Sequence, residues 1–110
     1  MNVLTLNGQY PRLHAEANLA VGESFEVHLP VTAATGYQWE IIEQPAGLVL
    51  AGSRVKNTSP EEIAGGRVMQ QLRFRASHPT AGRLRLSYQR SWDQTSRIRD
   101  CVIDVRADGR

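Results

Sequence analysis

The sequence predicts an all-β fold, an immunoglobulin-like β-sandwich of about seven antiparallel strands. Hydrophobic and polar residues alternate along most of the chain, which is the period of a half-buried strand, and helical spacing never persists for three turns. Turn-forming residues interrupt this alternation at short intervals, as is typical of strands in two packed sheets. A small β-barrel is the alternative architecture.

The alternating segments define the strands one by one. In chain order we expect a short strand around Val3, then strands near 23–31, 37–41, 48–56, 68–76, 83–92 and 101–106, with a bulge near 99–100 because Ile98 is out of phase. The outward positions of the strands near 68–76 and 83–92 carry many arginines, which predicts a solvated face. Trp39 lies in the third strand, where a large aromatic residue commonly fills the space between the sheets, and is predicted to be core.

Length and composition limit the possible classes of protein. The 110 residues suit one domain, 1–110, and the net charge of +2 with dispersed arginines predicts no binding to nucleic acid. The single cysteine excludes an internal disulfide, and the apolar runs are too short to span a membrane. The start of the chain lacks the pattern of a signal peptide, which suits a soluble cytoplasmic protein or the trimmed mature form of a periplasmic or secreted one.

The residues that could support catalysis are poorly placed for it. Cys101 lies in the middle of a predicted strand on its apolar face, where a thiol is buried and unreactive. His14, His28 and His78 are widely spaced and form no ligand pattern for a metal, and His28 is predicted to face solvent. We therefore expect no enzymatic activity, no metal site and no cofactor.

Three connections combine glycine or arginine with aromatic residues. They follow the second, fourth and sixth predicted strands, so they should emerge at one end of a sandwich of antiparallel strands. Glycine permits close approach of the backbone, and tyrosine, tryptophan and arginine are common anchors in binding surfaces. The candidate binding residues are Thr32, Ala33, Ala34, Thr35, Gly36 and Tyr37 in the first connection, Ile63, Ala64, Gly65 and Gly66 in the second, and Arg90, Ser91 and Trp92 in the third.

At these residues the sequence resembles the chagasin family, which inhibits papain-like cysteine peptidases. The family motifs are Asn-Pro-Thr-Thr-Gly-Tyr/Phe-x-Trp, Gly-x-Gly-Gly and Arg-Pro-Trp. The corresponding segments here are Thr32-Ala33-Ala34-Thr35-Gly36-Tyr37-Gln38-Trp39, Ile63-Ala64-Gly65-Gly66 and Arg90-Ser91-Trp92. Thus Thr32 to Ala34, Ile63 and Ser91 depart from the pattern. The order and spacing of the motifs agree from Glu23 to Ala107.

The resemblance implies a reversible, competitive inhibitor that blocks a peptidase cleft sterically. The first connection would cover the catalytic Cys and His of the peptidase, and the other two would lie on either side of the cleft. The expected partner is therefore a papain-like cysteine peptidase, and we expect the inhibitor to be a monomer. The alternative is a non-inhibitory immunoglobulin-like module that recognises another protein or a glycan with the same loops.

Overall fold

The structure is a computed structural model that describes residues 2–6, 12–32, 36–57 and 67–109. The strands in these residues are β1 (Asn2–Thr5), β2 (Arg12–Ala20), β3 (Ser24–Thr32), β4 (Tyr37–Glu43), β5 (Leu48–Asn57), β6 (Arg67–Ala76), β7 (Thr80–Arg90) and β8 (Arg99–Asp108). A short 3₁₀ helix, Gln94–Ser96, lies between β7 and β8. Within this part of the chain there is no helix of the length and hydrophobicity needed to cross a bilayer.

The strands form two four-stranded sheets. The first sheet has the order β1-β3-β6-β5 and the second has the order β2-β8-β7-β4. Because the strands form two separate sheets, the predicted sandwich is confirmed and the fold is not the alternative barrel. Most neighbouring strands are antiparallel, but β1 pairs with β3 and β2 pairs with β8 in parallel.

The core lies between the sheets and follows from the alternation in the sequence. In β3, Phe25, Val27 and Leu29 are fully buried, and in β8 Cys101 and Ile103 are equally buried. Such apolar burial is the main favourable contribution to folding. The other buried apolar residues are Leu13, Ala17, Leu19, Trp39, Leu48, Leu72, Phe74, Ala76, Leu84, Leu86, Tyr88, Val105 and Ala107.

Trp39 is confirmed as a core residue that joins the two sheets. It is 2% exposed, and its indole Nε1 donates a hydrogen bond to the carbonyl oxygen of Pro30 at 3.1 Å. Its backbone N–H donates to Oε1 of Gln70 at 2.8 Å, and Nε2 of Gln70 donates back to the carbonyl oxygen of Trp39 at 3.0 Å. This reciprocal pair of bonds fixes β4 of the second sheet against β6 of the first.

One strand, β2, was not predicted from the sequence. Its inward side chains alternate as expected, but between the buried Leu13 and Leu19 they are Ala15 and Ala17. Alanine has a low preference for strands and gives a weak hydrophobic signal. The strand forms because it pairs along its whole length with β8, from Arg12 opposite Asp100 to Ala20 opposite Asp108.

Three local expectations are also corrected. The bulge near 99–100 is absent, because β8 keeps one register with β7 from Arg99 onward and Ile98 lies before the strand. The register shifts in the described strands occur in β4 and β5. Ser87 and Gln89 occupy outward positions of β7, the face predicted to be solvated, but they are only 1% and 4% exposed. The Ser87 hydroxyl donates to Oδ1 of Asp100 at 2.9 Å.

Candidate functional site

The three candidate connections leave the sandwich at the same end. Thr32 at the end of β3 pairs with Arg67, and Asn57 at the end of β5 pairs with Val68, so both strands end where β6 begins. In the second sheet, Arg90 at the end of β7 pairs with Tyr37 at the start of β4. The hydrogen bonds between Trp39 and Gln70 bring these ends of the two sheets together. The strand ends that flank the three connections therefore lie at one end of the sandwich.

Parts of the first and third predicted binding segments can be placed, and no part of the second. Thr32 ends β3, Tyr37 begins β4 and Arg90 ends β7. Gly36 directly precedes β4, and Ser91 and Trp92 directly follow β7. Seven predicted residues lie outside the described residues: Ala33, Ala34, Thr35, Ile63, Ala64, Gly65 and Gly66.

Gly36 and Trp92 join the first connection to the third. Gly36 has a φ of +79°, and a Cβ atom added to it would lie 2.6 Å from Cη2 of the Trp92 indole. Since real Cβ contacts are never this short, only glycine allows the indole to lie where it does. Trp92 is nevertheless 73% exposed, so it rests on Gly36 with one part and presents most of its surface to solvent.

A row of aromatic rings continues from this end of the molecule into the core. The guanidinium carbon of Arg90 lies 4.7 Å from the centroid of the Tyr37 ring, a cation–π contact. The Tyr37 ring lies 5.3 Å from Tyr88, which lies 5.2 Å from Trp39. Arg99 lies 5.6 Å from the Trp39 ring. The exposed end is therefore built directly on the packed interior.

The turn after β7 is closed by its own hydrogen bonds. The backbone N–H of Asp93 donates to the carbonyl oxygen of Arg90 at 3.0 Å, and the backbone N–H of Arg90 donates to Oγ of Ser96 at 2.8 Å. Oδ1 of Asp93 accepts hydrogen bonds from the backbone N–H and the hydroxyl of Thr95, at 3.0 and 2.6 Å. These bonds from Thr95 lower the pKa of the Asp93 carboxyl.

Residues 18–106 match the sequence pattern of the family described as "Chagasin family peptidase inhibitor I42". The chain belongs to the chagasin family. Members of this family are peptidase inhibitors rather than enzymes, so the predicted family and the predicted class of function are confirmed.

Solved structures of other proteins, among them a cysteine protease inhibitor, have the same fold. The chain is similar to the inhibitor EhICP2 from Entamoeba histolytica, with a TM-score of 0.77 and 17% identity over 97% of this chain and 96% of that one. It is similar to PbICP-C, solved in complex with falcipain-2, with a TM-score of 0.68 and 19% identity over 98% of this chain and all of that one. Amebosin gives a TM-score of 0.67 and 19% identity over 87% and 98% of the two chains. No protein of curated function matches the sequence significantly.

Two residues of this chagasin-family chain were not recognised as part of the site from the sequence. Asp93 and Ser96 were not among the candidate binding residues, yet their side chains make the hydrogen bonds that close the turn after β7. The signal in the sequence is the aspartate itself, because aspartate is a favoured N-cap residue. In the structure, the 3₁₀ helix begins directly after Asp93. No local sequence pattern predicted the contact of Trp92 with Gly36.

The groups considered for catalysis lie away from this end or are unreactive. Cys101 is fully buried, and burial raises the pKa of its thiol to about 12, which keeps it protonated. Within the described residues, no three His, Cys, Asp or Glu side chains could hold a metal ion together.

His28 is partly buried rather than solvent-facing, which corrects the expectation from the sequence. Its Nε2 lies 3.0 Å from Oε1 of Glu26, on the outer face of the first sheet. Arg73 donates two hydrogen bonds to Oε2 of the same Glu26, at 3.0 and 2.7 Å. The Glu26 carboxylate thus joins His28 and Arg73 in one cluster on this face.

Proposed function

We propose that this chain is a reversible, competitive inhibitor of papain-like cysteine peptidases. In this proposal the three connections at one end of the sandwich enter the active-site cleft, and no covalent bond is formed. The chain acts as a monomer with one domain, 1–110. The observation that carries the proposal is the contact of Trp92 with Gly36, because it joins two of the family motifs into one surface.

Each connection has a separate role in the proposed complex. The segment from Thr32 to Tyr37 covers the catalytic Cys and His of the peptidase. The segment from Ile63 to Gly66 lies along one side of the cleft and uses main-chain hydrogen bonds, for which glycine permits the necessary approach. Arg90 and Trp92 pack on the other side, with Ser91 between them. A surface of this kind buries about 1,600 Å² in total in a complex of ordinary size.

The exposure of Trp92 supports its role as an anchor. A tryptophan that is 73% exposed leaves a large apolar area in water, and burying that area in a complex is favourable. The contact with Gly36 already restricts the indole before binding. Less side-chain entropy is then lost when the complex forms, which favours affinity.

The test is steady-state inhibition of papain and of a cathepsin L-like peptidase at several substrate concentrations. We expect an increase in apparent KM at constant maximal rate, with an inhibition constant in the nanomolar to low micromolar range that corresponds to about 8 to 12 kcal/mol of binding free energy. A folded sample that inhibits neither peptidase would contradict the proposal. A pull-down from the source would then identify the partner of a non-inhibitory binding module.

A further inference from the structure

The turn that carries Trp92 is held by side chains rather than by a rigid residue. In the third connection Ser91 stands where the family motif has proline, and proline would restrict the backbone directly before the tryptophan. Serine has no ring to fix its φ, so Ser91 restricts the backbone less than proline would. The order of Trp92 therefore depends on other contacts.

Asp93, the residue directly after Trp92, supplies the first of these contacts. Its carboxylate accepts two hydrogen bonds from Thr95, and its extended backbone, with φ of −146° and ψ of 99°, is typical of a helix N-cap. Its backbone also forms an antiparallel bridge with Arg90. Asp93 thus fixes the chain on the C-terminal side of Trp92.

Ser96 closes the turn from the other side. Its hydroxyl donates to the carbonyl oxygen of Asp93 at 2.5 Å and accepts from the backbone N–H of Arg90 at 2.8 Å. Its backbone N–H also donates to the carbonyl oxygen of Asp93, at 3.1 Å. One hydroxyl therefore bridges the residues on both sides of the Ser91-Trp92 pair.

We propose that Asp93, assisted by Ser96, is a positioning residue for peptidase binding, because it holds the turn in the form that keeps Trp92 against Gly36. The inference rests on the proposed function and adds to it a residue that acts through Trp92 without contacting the peptidase. In this chain the hydrogen bonds of Asp93 and Ser96 provide the restriction that proline provides in the family motif.

The first experiment compares four variants in the inhibition assay: Asp93→Ala, Asp93→Asn, Trp92→Ala and the double variant Asp93→Ala/Trp92→Ala. We expect Asp93→Ala to raise the inhibition constant by roughly threefold to thirtyfold, the range that corresponds to the loss of an N-cap. Asparagine can accept the same two bonds from Thr95, so Asp93→Asn should stay within about twofold of the wild type. In the double variant, the added effect of Asp93→Ala should disappear.

Asp108→Ala serves as the matched control. It removes one exposed negative charge, as Asp93→Ala does, but Asp108 pairs with Ala20 at the opposite end of the sandwich. Its inhibition constant should equal that of the wild type. Thermal melting of every variant shows whether the fold is retained.

A second measurement follows the order of Trp92 without a peptidase. The ¹H–¹⁵N NOE of the Trp92 indole N–H should fall in Asp93→Ala and remain high in Asp93→Asn. The Trp39 indole N–H, which is hydrogen-bonded to Pro30, is an internal reference that should not change.

The outcomes separate this inference from the proposed function. If the wild type inhibits and Asp93→Ala changes neither its inhibition constant nor the Trp92 NOE, the positioning role is wrong and the proposed function stands. An equal effect of Asp93→Ala with and without Trp92, or an Asp93→Asn variant as weak as Asp93→Ala, would also overturn it. If the folded wild type inhibits no papain-like peptidase, the proposed function fails and the link to binding fails with it.

Discussion

Gly36 has two properties that a substitution would remove together. Its φ of +79° is unfavourable for other residues, and its missing side chain leaves the space that the Trp92 indole occupies. Gly22 has a similar φ of +97°, but a Cβ atom there would meet no atom within 4 Å. Substitutions at the two glycines therefore distinguish the effect of backbone strain from the effect of losing the contact with Trp92.

We predict that Gly36→Glu and Trp92→Ala each weaken peptidase inhibition by at least tenfold while the fold is retained, as is typical when a central anchor of an interface is lost. Gly22→Ala should lower the free energy of unfolding by about 1 kcal/mol and leave inhibition unchanged. The measurements are inhibition constants and urea unfolding of each variant. Unchanged inhibition by both folded variants at the candidate site would show that these residues do not bind the peptidase.

Glu26 links protonation to stability on the outer face of the first sheet. Its side chain is 12% exposed, and the hydrogen bonds from His28 and then Arg73 hold its pKa below the ordinary value of 4.5. Because the folded state binds the proton less tightly than the unfolded state, the carboxylate adds stability above pH 4.5. This contribution is lost as the pH falls through the lowered value.

We predict that Glu26→Gln is less stable than the wild type at pH 6 by about 1 to 2 kcal/mol, since it loses charge-assisted hydrogen bonds. The difference should shrink as the pH falls below 4.5. Urea unfolding at a series of pH values measures it. Asp108→Asn, which removes an exposed carboxylate 3.4 Å from Arg106, should have almost no effect at any pH. A difference for Glu26→Gln that persists undiminished in acid would contradict the ionic explanation.

Among the strands, those with large alternating side chains could be predicted and the one rich in alanine could not. Phe25, Val27 and Leu29 in β3 give a strong signal, whereas Ala15 and Ala17 in β2 give a weak one. Parallel pairing of β2 with β8 joins residues that are distant in the sequence, and no local pattern reports it.

We predict that β2 contributes as strongly to stability as the strands that were recognised. Leu19→Ala should lower the free energy of unfolding by about 2 to 4 kcal/mol, because Leu19 is buried between the sheets. Leu50→Ala in β5 is the same change at a position that is 44% exposed, and it should cost less than about 1 kcal/mol. Equal losses in urea unfolding would contradict the assignment of β2 to the core.

The candidate site could be predicted from the sequence in part. The common end of the three connections follows from the alternating direction of the strands, and Trp39 was assigned to the core from its place in a strand. The Gly36 contact with Trp92 joins residues from different connections and requires the folded chain. Gln89 occupies a position that the alternation in the sequence assigns to the outer face, yet it is buried. Its burial likewise depends on neighbours that the sequence does not place beside it.

The molecule as a whole should unfold as one unit. Trp39 and Gln70 connect the sheets by two hydrogen bonds, and both sheets contribute to one hydrophobic core. We therefore predict that tryptophan fluorescence and far-ultraviolet circular dichroism report the same urea midpoint, as in two-state unfolding. Two separated transitions would indicate sheets that are stable independently.

The protein is also predicted to be a monomer. Light scattering during gel filtration should give the mass of one chain, and a larger mass would contradict the prediction.

The pairing of β2 with β8 also determines when the protein can become folded during synthesis. Residues 12–20 have no partner strand until residues 100–108 have left the ribosome, so the second sheet is completed only after β3 to β7 have been made. Contacts across such a separation fold slowly, because a long loop must close before any of them forms. Until this pairing forms, Leu13 and Leu19 lack the partner strand beside which they are buried in the folded protein.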